Sequence, residues 1–126
     1  MDTNAEHWME NAEKAFDQKQ YRNAVYWYRK AAEAGDAGAQ YCLGLCYYGA
    51  LGVKLNEAEA FKWIRRAAEQ GEPDAQKALG DMYMRGCGVK ANDALALEWY
   101  QKAYSNGNGE AGRLADQIIH ALELMI

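Results

Sequence analysis

The sequence predicts an all-α fold, a solenoid of helix-turn-helix repeats with about seven helices, and three observations carry that prediction. The stretch from Leu43 to Trp63 is written again from Leu79 to Trp99: Leu43 and Leu79, Gly52 and Gly88, Asn56 and Asn92, Trp63 and Trp99, and Gly71 and Gly107 all stand 36 residues apart. A constant period of that size marks an array of stacked supersecondary units. The composition favours helices, with a single proline and abundant Ala, Glu, Lys, Gln and Leu. Valine occurs only at positions 25, 53 and 89, and no alternating β-branched run exists to make strands. At 126 residues the chain forms one continuous core.

Each element follows from local pattern. Trp8, Ala12 and Ala15 place a first helix from about Ala5 to Gln18, joined to its partner through the short KQYRN connection. Ala24, Trp27, Tyr28, Ala31 and Gly35 anticipate Ala60, Trp63, Ile64, Ala67 and Gly71 at the same distance of 36. In the two full units, Ala39, Leu43 and Tyr47, then Ala75, Leu79 and Tyr83, form one buried stripe of a first helix. Gly44 and Gly80 lie beside that stripe in helix interiors, where glycine costs about 1 kcal/mol relative to alanine, so a neighbouring helix is expected to approach closely there. The turns GALGVKLN and RGCGVKAN carry Gly52 and Gly88 at expected positive φ, with Val53 and Val89 plugging the gap. Asn56 and Asn92 are expected N-caps of the second helices, with Glu59 as a capping-box partner in the first copy only. Gly71 and Gly107 close those helices, and Glu72 with Pro73 opens the next. The last helix is NGEAGRLADQIIHALELMI. These divisions give units over 5–35, 36–71 and 72–107 and a terminal helix over 108–126, within one domain spanning 1–126.

A formal net charge of −4 argues against a nucleic-acid partner, which calls for a basic face. The N-terminal stretch MDTNAEHWMENAEKAF is acidic where a signal peptide needs a basic start, and no apolar run reaches membrane-spanning length. Three cysteines, Cys42, Cys46 and Cys87, are an odd number without CxxC spacing, so neither a disulfide framework nor a zinc site is expected. A cytoplasmic protein with reduced thiols, no membrane association and no cofactor fits these signs.

The pairs Ala39-Gln40, Leu43-Gly44 and Gly52-Val53, followed by Asn56, Ala60, Trp63, Ala67 and Gly71 and repeated 36 residues on, resemble Sel1-like repeats, while residues 5–35 resemble a tetratricopeptide repeat. Beyond Asn108, Ala111 and Ile119 keep the spacing but Ala115 and Asp116 replace the Leu-Gly pair. The resemblance implies a right-handed solenoid and a non-catalytic adaptor that binds a protein or peptide on its concave face. The groove that the resemblance implies is lined by the first helix of each unit: Met9, Glu13, Phe16 and Asp17; then Tyr41, Leu45 and Tyr48; then Lys77, Asp81, Met84 and Arg85; and finally Arg113, Gln117 and His120. Glu13 and Asp17 lie toward one end and Arg85 and Arg113 toward the other. The expected ligand therefore has a basic end, an apolar anchor over Tyr41, Leu45, Tyr48 and Met84, and an acidic end or terminal carboxylate near the two arginines.

Other residue groups have plainer roles. The repeat tryptophans recur at core spacing and read as packing, whereas Tyr41 and Tyr48 remain open to a binding role. Cys42 and Cys46, one turn apart, read as small buried residues and Cys87 as the more exposed thiol. His7 and His120 are isolated, and the carboxylates serve caps and helix dipoles, so no catalytic constellation is found. Leu114, Ile118, Leu122 and Met125 form an apolar stripe on the last helix that Ala115, Ile119 and Ile126 widen. This is more apolar width than a capping helix needs, and it offers a homodimer through that helix as an alternative function.

Overall fold

The computed structural model describes residues 3–125, and over them the chain folds into seven helices: α1 (Thr3–Asp17), α2 (Tyr21–Glu33), α3 (Ala37–Gly49), α4 (Glu57–Glu69), α5 (Pro73–Arg85), α6 (Asp93–Ser105) and α7 (Gly109–Leu124). Each helix packs mainly on the one before and the one after it in the chain, as in a solenoid. Among the described residues no helix is long and apolar enough to cross a membrane.

The expected caps form. Asn56 and Asn92 accept from the amides of Glu59 and Leu95 at 3.0 Å, Asp36 does the same for Ala39, and Glu72 for Asp74 with Pro73 behind it. Two local expectations need correction. Asn56 lacks the reciprocal capping-box bond, because its amide already donates to the Tyr47 carbonyl at 3.2 Å and Glu59 turns instead toward Lys62. The first connection is shorter than KQYRN: Gln20 already stands at the N-cap position and Tyr21, Arg22 and Asn23 are helical, since Lys19 at φ 61° completes the reversal by itself.

Small residues set the helix crossings. A Cβ on Gly44 would lie 2.5 Å from Ile64 Cγ1, and one on Gly80 would lie 2.5 Å from Tyr100 Cε1, so the paired helices meet where the side chain is absent. In the loops, Gly52 and Gly88 take φ values of 73° and 70° while a Cβ there would strike the carbonyls of Tyr21 and Glu57, which locks each loop onto the preceding unit. At the third copy Asp116 occupies the glycine position and is exposed.

The core runs along the array in three clusters built on Ala39, Leu43 and Cys46, on Ile64, Leu79 and Met82, and on Tyr100, Ala111 and Ile118. Trp63 is 4% exposed and packs into the first cluster, which joins α1 and α2 to α3, while Trp99 packs less completely against the second cluster. A buried polar ladder accompanies the apolar one. Gln40 donates from Nε2 to the Ala32 carbonyl and Gln76 to the Ala68 carbonyl, both at 3.1 Å. Their side-chain oxygens accept from Gln70 Nε2 at 2.8 Å and from Asn106 Nδ2 at 2.9 Å. Each glutamine thus ties the start of a first helix to the end of the preceding second helix and to the end of its own partner.

Candidate binding groove

Successive first helices leave clefts between them. The first lies between α3 and α5, with a cavity volume of about 180 Å³. Tyr41, Leu45 and Tyr48 form its α3 wall because they recur at the i, i+4, i+7 spacing of one helix face. Lys77, Asp81 and Arg85 face them from α5, with Ala78 and Met82 at the base of the same stripe and Cys87 from the following turn. Six of the fourteen residues expected from the sequence therefore meet in one place.

The charges in this cleft are arranged unequally. Lys77 Nζ pairs with Asp81 at 2.9 Å and with Glu110 at 3.8 Å. Asp81 also accepts from the Tyr100 hydroxyl at 2.5 Å, and burial followed by that bond holds the phenol well above its ordinary range. Arg85 instead donates to the Tyr48 hydroxyl at 3.4 Å across the cleft mouth, a bond that holds its guanidinium firmly in the charged form. Burial likewise pushes the Tyr41 phenol upward, with the Asp74 carboxylate adding to it.

The remaining expected residues lie elsewhere. Met84 is one residue before Arg85, about 100° around the helix, and so faces a second cleft between α5 and α7 together with Gln117. Arg113 lines a different cleft, between α6 and α7, with Tyr104, Gly112 and Asp116, and therefore does not stand beside Arg85. His120 is exposed on α7. On α1, Met9 packs into the first core cluster and Phe16 stands edge-on to Tyr21 with ring centres 5.3 Å apart, while Glu13 and Asp17 are exposed. None of these four lines the α3–α5 cleft.

Sequence reasoning missed Asp74, Ala78 and Met82 as lining residues and Tyr100 as the partner of Asp81. Asp74, Ala78, Asp81 and Arg85 share one helical stripe and were open to discovery by spacing, whereas Tyr100 arrives from α6 and carries no such signal. The thiols of Cys42, Cys46 and Cys87 are free. Among the described residues, no group of three His, Cys, Asp or Glu side chains is placed to hold a metal ion.

The Sel1 repeat profile matches residues 16–36, 37–72 and 73–108, most of the chain. The chain belongs to the Sel1 repeat family. Its fold is similar to that of a Sel1 repeat protein from Oxalobacter formigenes, with 35% identity over 90% of this chain and 88% of that one and a TM-score of 0.83. A protective antigen present in uropathogenic Escherichia coli strains and displaying an SLR fold is 46% identical over 72% of this chain, with a TM-score of 0.71; the chain spans 20% of that antigen's length. The Helicobacter pylori cysteine rich protein B shares the fold at 19% identity, over 90% of this chain and 96% of its own, with a TM-score of 0.71. No curated protein matches the chain. Sel1 repeat proteins are in general non-catalytic scaffolds for protein–protein interaction.

Proposed function

We propose that this Sel1 repeat protein is a non-catalytic adaptor that holds a peptide segment of a partner protein on the face formed by α3, α5 and α7. The observation that carries this reading is the α3–α5 cleft, where exposed Leu45 and Tyr48 and half-buried Tyr41 offer apolar surface next to the Arg85 guanidinium. Aromatic and arginine side chains at the mouth of a cleft are the residue types that supply most binding energy. Because Lys77 is already paired with Asp81 and Glu110, the acidic part of a ligand is drawn to Arg85. A short peptide held in this way binds with a Kd on the order of micromolar, about −8 kcal/mol. Free thiols fit a reducing compartment such as the cytoplasm.

The test is capture of partners by the tagged full chain from its native cell, comparing wild type with Tyr48→Ala combined with Arg85→Glu after circular dichroism shows an unchanged helical signal. A partner retained by wild type and lost from the variant supports the groove. Equal capture by both proteins counts against it.

A second reading rests on α7. Leu122, Leu124 and Met125 are 47%, 76% and 83% exposed, although Ala115 and Ile118 of the same helix are buried against α6; Ile126 lies outside the described residues. Pairing of two copies through these side chains makes the protein an assembly module. Light scattering that gives the mass of one chain at high concentration removes this alternative.

A further inference from the structure

The core repeats along the array, and so does the side chain that closes it. The first cluster joins α1, α2 and α3 and takes Trp63 from α4; the second is built on α4 and α5 and takes Trp99 from α6. The third joins α6 to α7, and among the described residues it holds no tryptophan. The surface beneath each tryptophan can be followed from copy to copy. Ala32, Gln40, Leu43, Gly44 and Tyr47 become Ala68, Gln76, Leu79, Gly80 and Tyr83, and 36 residues further on Tyr104, Gly112, Ala115, Asp116 and Ile119. In the first two sets the alanine, glutamine and leucine are at most 5% exposed. The third set lines one open cleft of about 500 Å³ between α6 and α7, where Tyr104 is 61% exposed.

From this register we infer that the α6–α7 cleft is a docking seat for an amphipathic helix of a partner protein, one that carries a tryptophan followed directly by a small residue with a hydrogen-bond donor. The seat is separate from the α3–α5 groove and does not rest on it. The helical form of the occupant follows from continuity of packing: helices α4 and α6 supply the tryptophans at the two equivalent surfaces, and in a stacked array each unit buries its apolar side against the next. An exposed tyrosine in a cleft is also among the residue types that anchor a partner. The Tyr104 ring leans on Gly112, 2.6 Å from where a Cβ there would stand, and forms one wall of the seat. The residue after the tryptophan is set by the helix crossing. Ile64 follows Trp63 and packs where Gly44 lacks a Cβ, and Tyr100 follows Trp99 and does the same at Gly80. Asp116 puts a carboxylate at that point. An isoleucine there buries the carboxylate against apolar atoms, whereas a serine leaves room and donates to it. Arg113 lines the same cleft, so the occupant needs no cation of its own.

The probe is a fluorescein-labelled peptide of residues 56–71, which contain α4, titrated against the full chain by fluorescence polarisation. Arg65 and Glu69 pair on its exposed side, so Arg65→Lys allows a lactam to Glu69 that holds the peptide helical away from the docking face. The expected result is that the Ile64→Ser form of the peptide binds at least tenfold more tightly than the form with Ile64, and that adding Trp63→Ala removes binding. In the Asp116→Gly chain the preference for serine is expected to disappear, because the crossing then matches Gly44 and Gly80. Tyr104→Glu, with its helical signal checked by circular dichroism, is expected to weaken the serine peptide at least tenfold, while Tyr48→Ala with Arg85→Glu leaves it unchanged. Failure of the wild-type chain to bind the serine peptide, or binding that survives Tyr104→Glu, overturns the seat. Loss of the peptide in the Tyr48→Ala, Arg85→Glu variant places it in the other cleft and overturns the seat as well. Light scattering that shows paired chains separated by Tyr104→Glu gives the cleft to a second copy and overturns the partner helix.

Discussion

Gln76 reaches from the start of α5 to donate its side-chain amide to the Ala68 carbonyl at the end of α4, repeating 36 residues later what Gln40 does to Ala32. Because Gln76 is buried and also accepts from Asn106, Gln76→Leu removes two hydrogen bonds at once, although the Ala68 carbonyl keeps the Gly71 amide as a donor. The expected cost is about 1–3 kcal/mol, seen as a lower urea midpoint with the helical signal retained at low denaturant. An unchanged midpoint contradicts the view that these glutamines tie the units together.

Ala50 adopts a left-handed conformation at the end of α3, with φ 55°, where the next repeat places Gly86 at φ 72°. A Cβ in that conformation costs roughly 1–2 kcal/mol, partly offset by the greater freedom of glycine in the unfolded chain. Ala50→Gly is therefore expected to raise stability by about 0.5–1 kcal/mol in the same urea measurement, and a loss of stability goes against it.

Alkaline pH provides a third check. Burial raises the Tyr28 and Tyr100 phenols well above the usual value of about 10, and it pushes the Cys46 thiol up to about 11. The folded chain keeps these protons at pH values where the unfolded chain has lost them. Their contribution is thus complete below the unfolded pKa values and declines as pH rises toward the folded ones. Unfolding free energy is expected to fall between about pH 9 and 11, and less steeply in Tyr100→Phe than in wild type. Parallel pH profiles for the two proteins contradict the assignment.

Much of this architecture was legible in the sequence because it depends on residues with narrow conformational roles. Asn56 and Asn92 cap helices by local geometry, and Gly44 and Gly80 mark helix crossings because any Cβ collides with Ile64 or Tyr100. The groove was legible in part. Spacing places Tyr41, Leu45, Tyr48, Lys77, Asp81 and Arg85 on facing sides of one cleft, yet it does not say that Lys77 is consumed by Asp81 and Glu110. Met84 fell outside that cleft because a shift of one residue turns a helical side chain by about 100°, enough to move it to the next valley, and Arg113 because it stands on α7 and lines the cleft between α6 and α7. The Gln40 and Gln76 bonds were invisible for a different reason: a polar residue in a repeat pattern does not reveal which carbonyl it meets.

Cys87 offers a probe of the proposed groove. It lines the α3–α5 cleft and is partly exposed, whereas Cys46 is buried and its thiol is held in the protonated form. Alkylation by iodoacetamide at pH 8, mapped by mass spectrometry, is expected to modify Cys87 before Cys46. A saturating groove peptide is expected to slow the Cys87 reaction several-fold and leave the order unchanged. Modification of Cys87 at the same rate with and without peptide speaks against occupancy of this cleft.

The central claim is that ligands lie across the first helices, and the most direct measurement is a heteronuclear NMR titration of the labelled full chain with the tightest binder from a random twelve-residue display library. The expected outcome is a set of amide shift changes concentrated in Tyr41–Tyr48 and Lys77–Arg85, weakened by Arg85→Glu. Changes confined to the second helices α2, α4 and α6, or to the last turn of α7, contradict it.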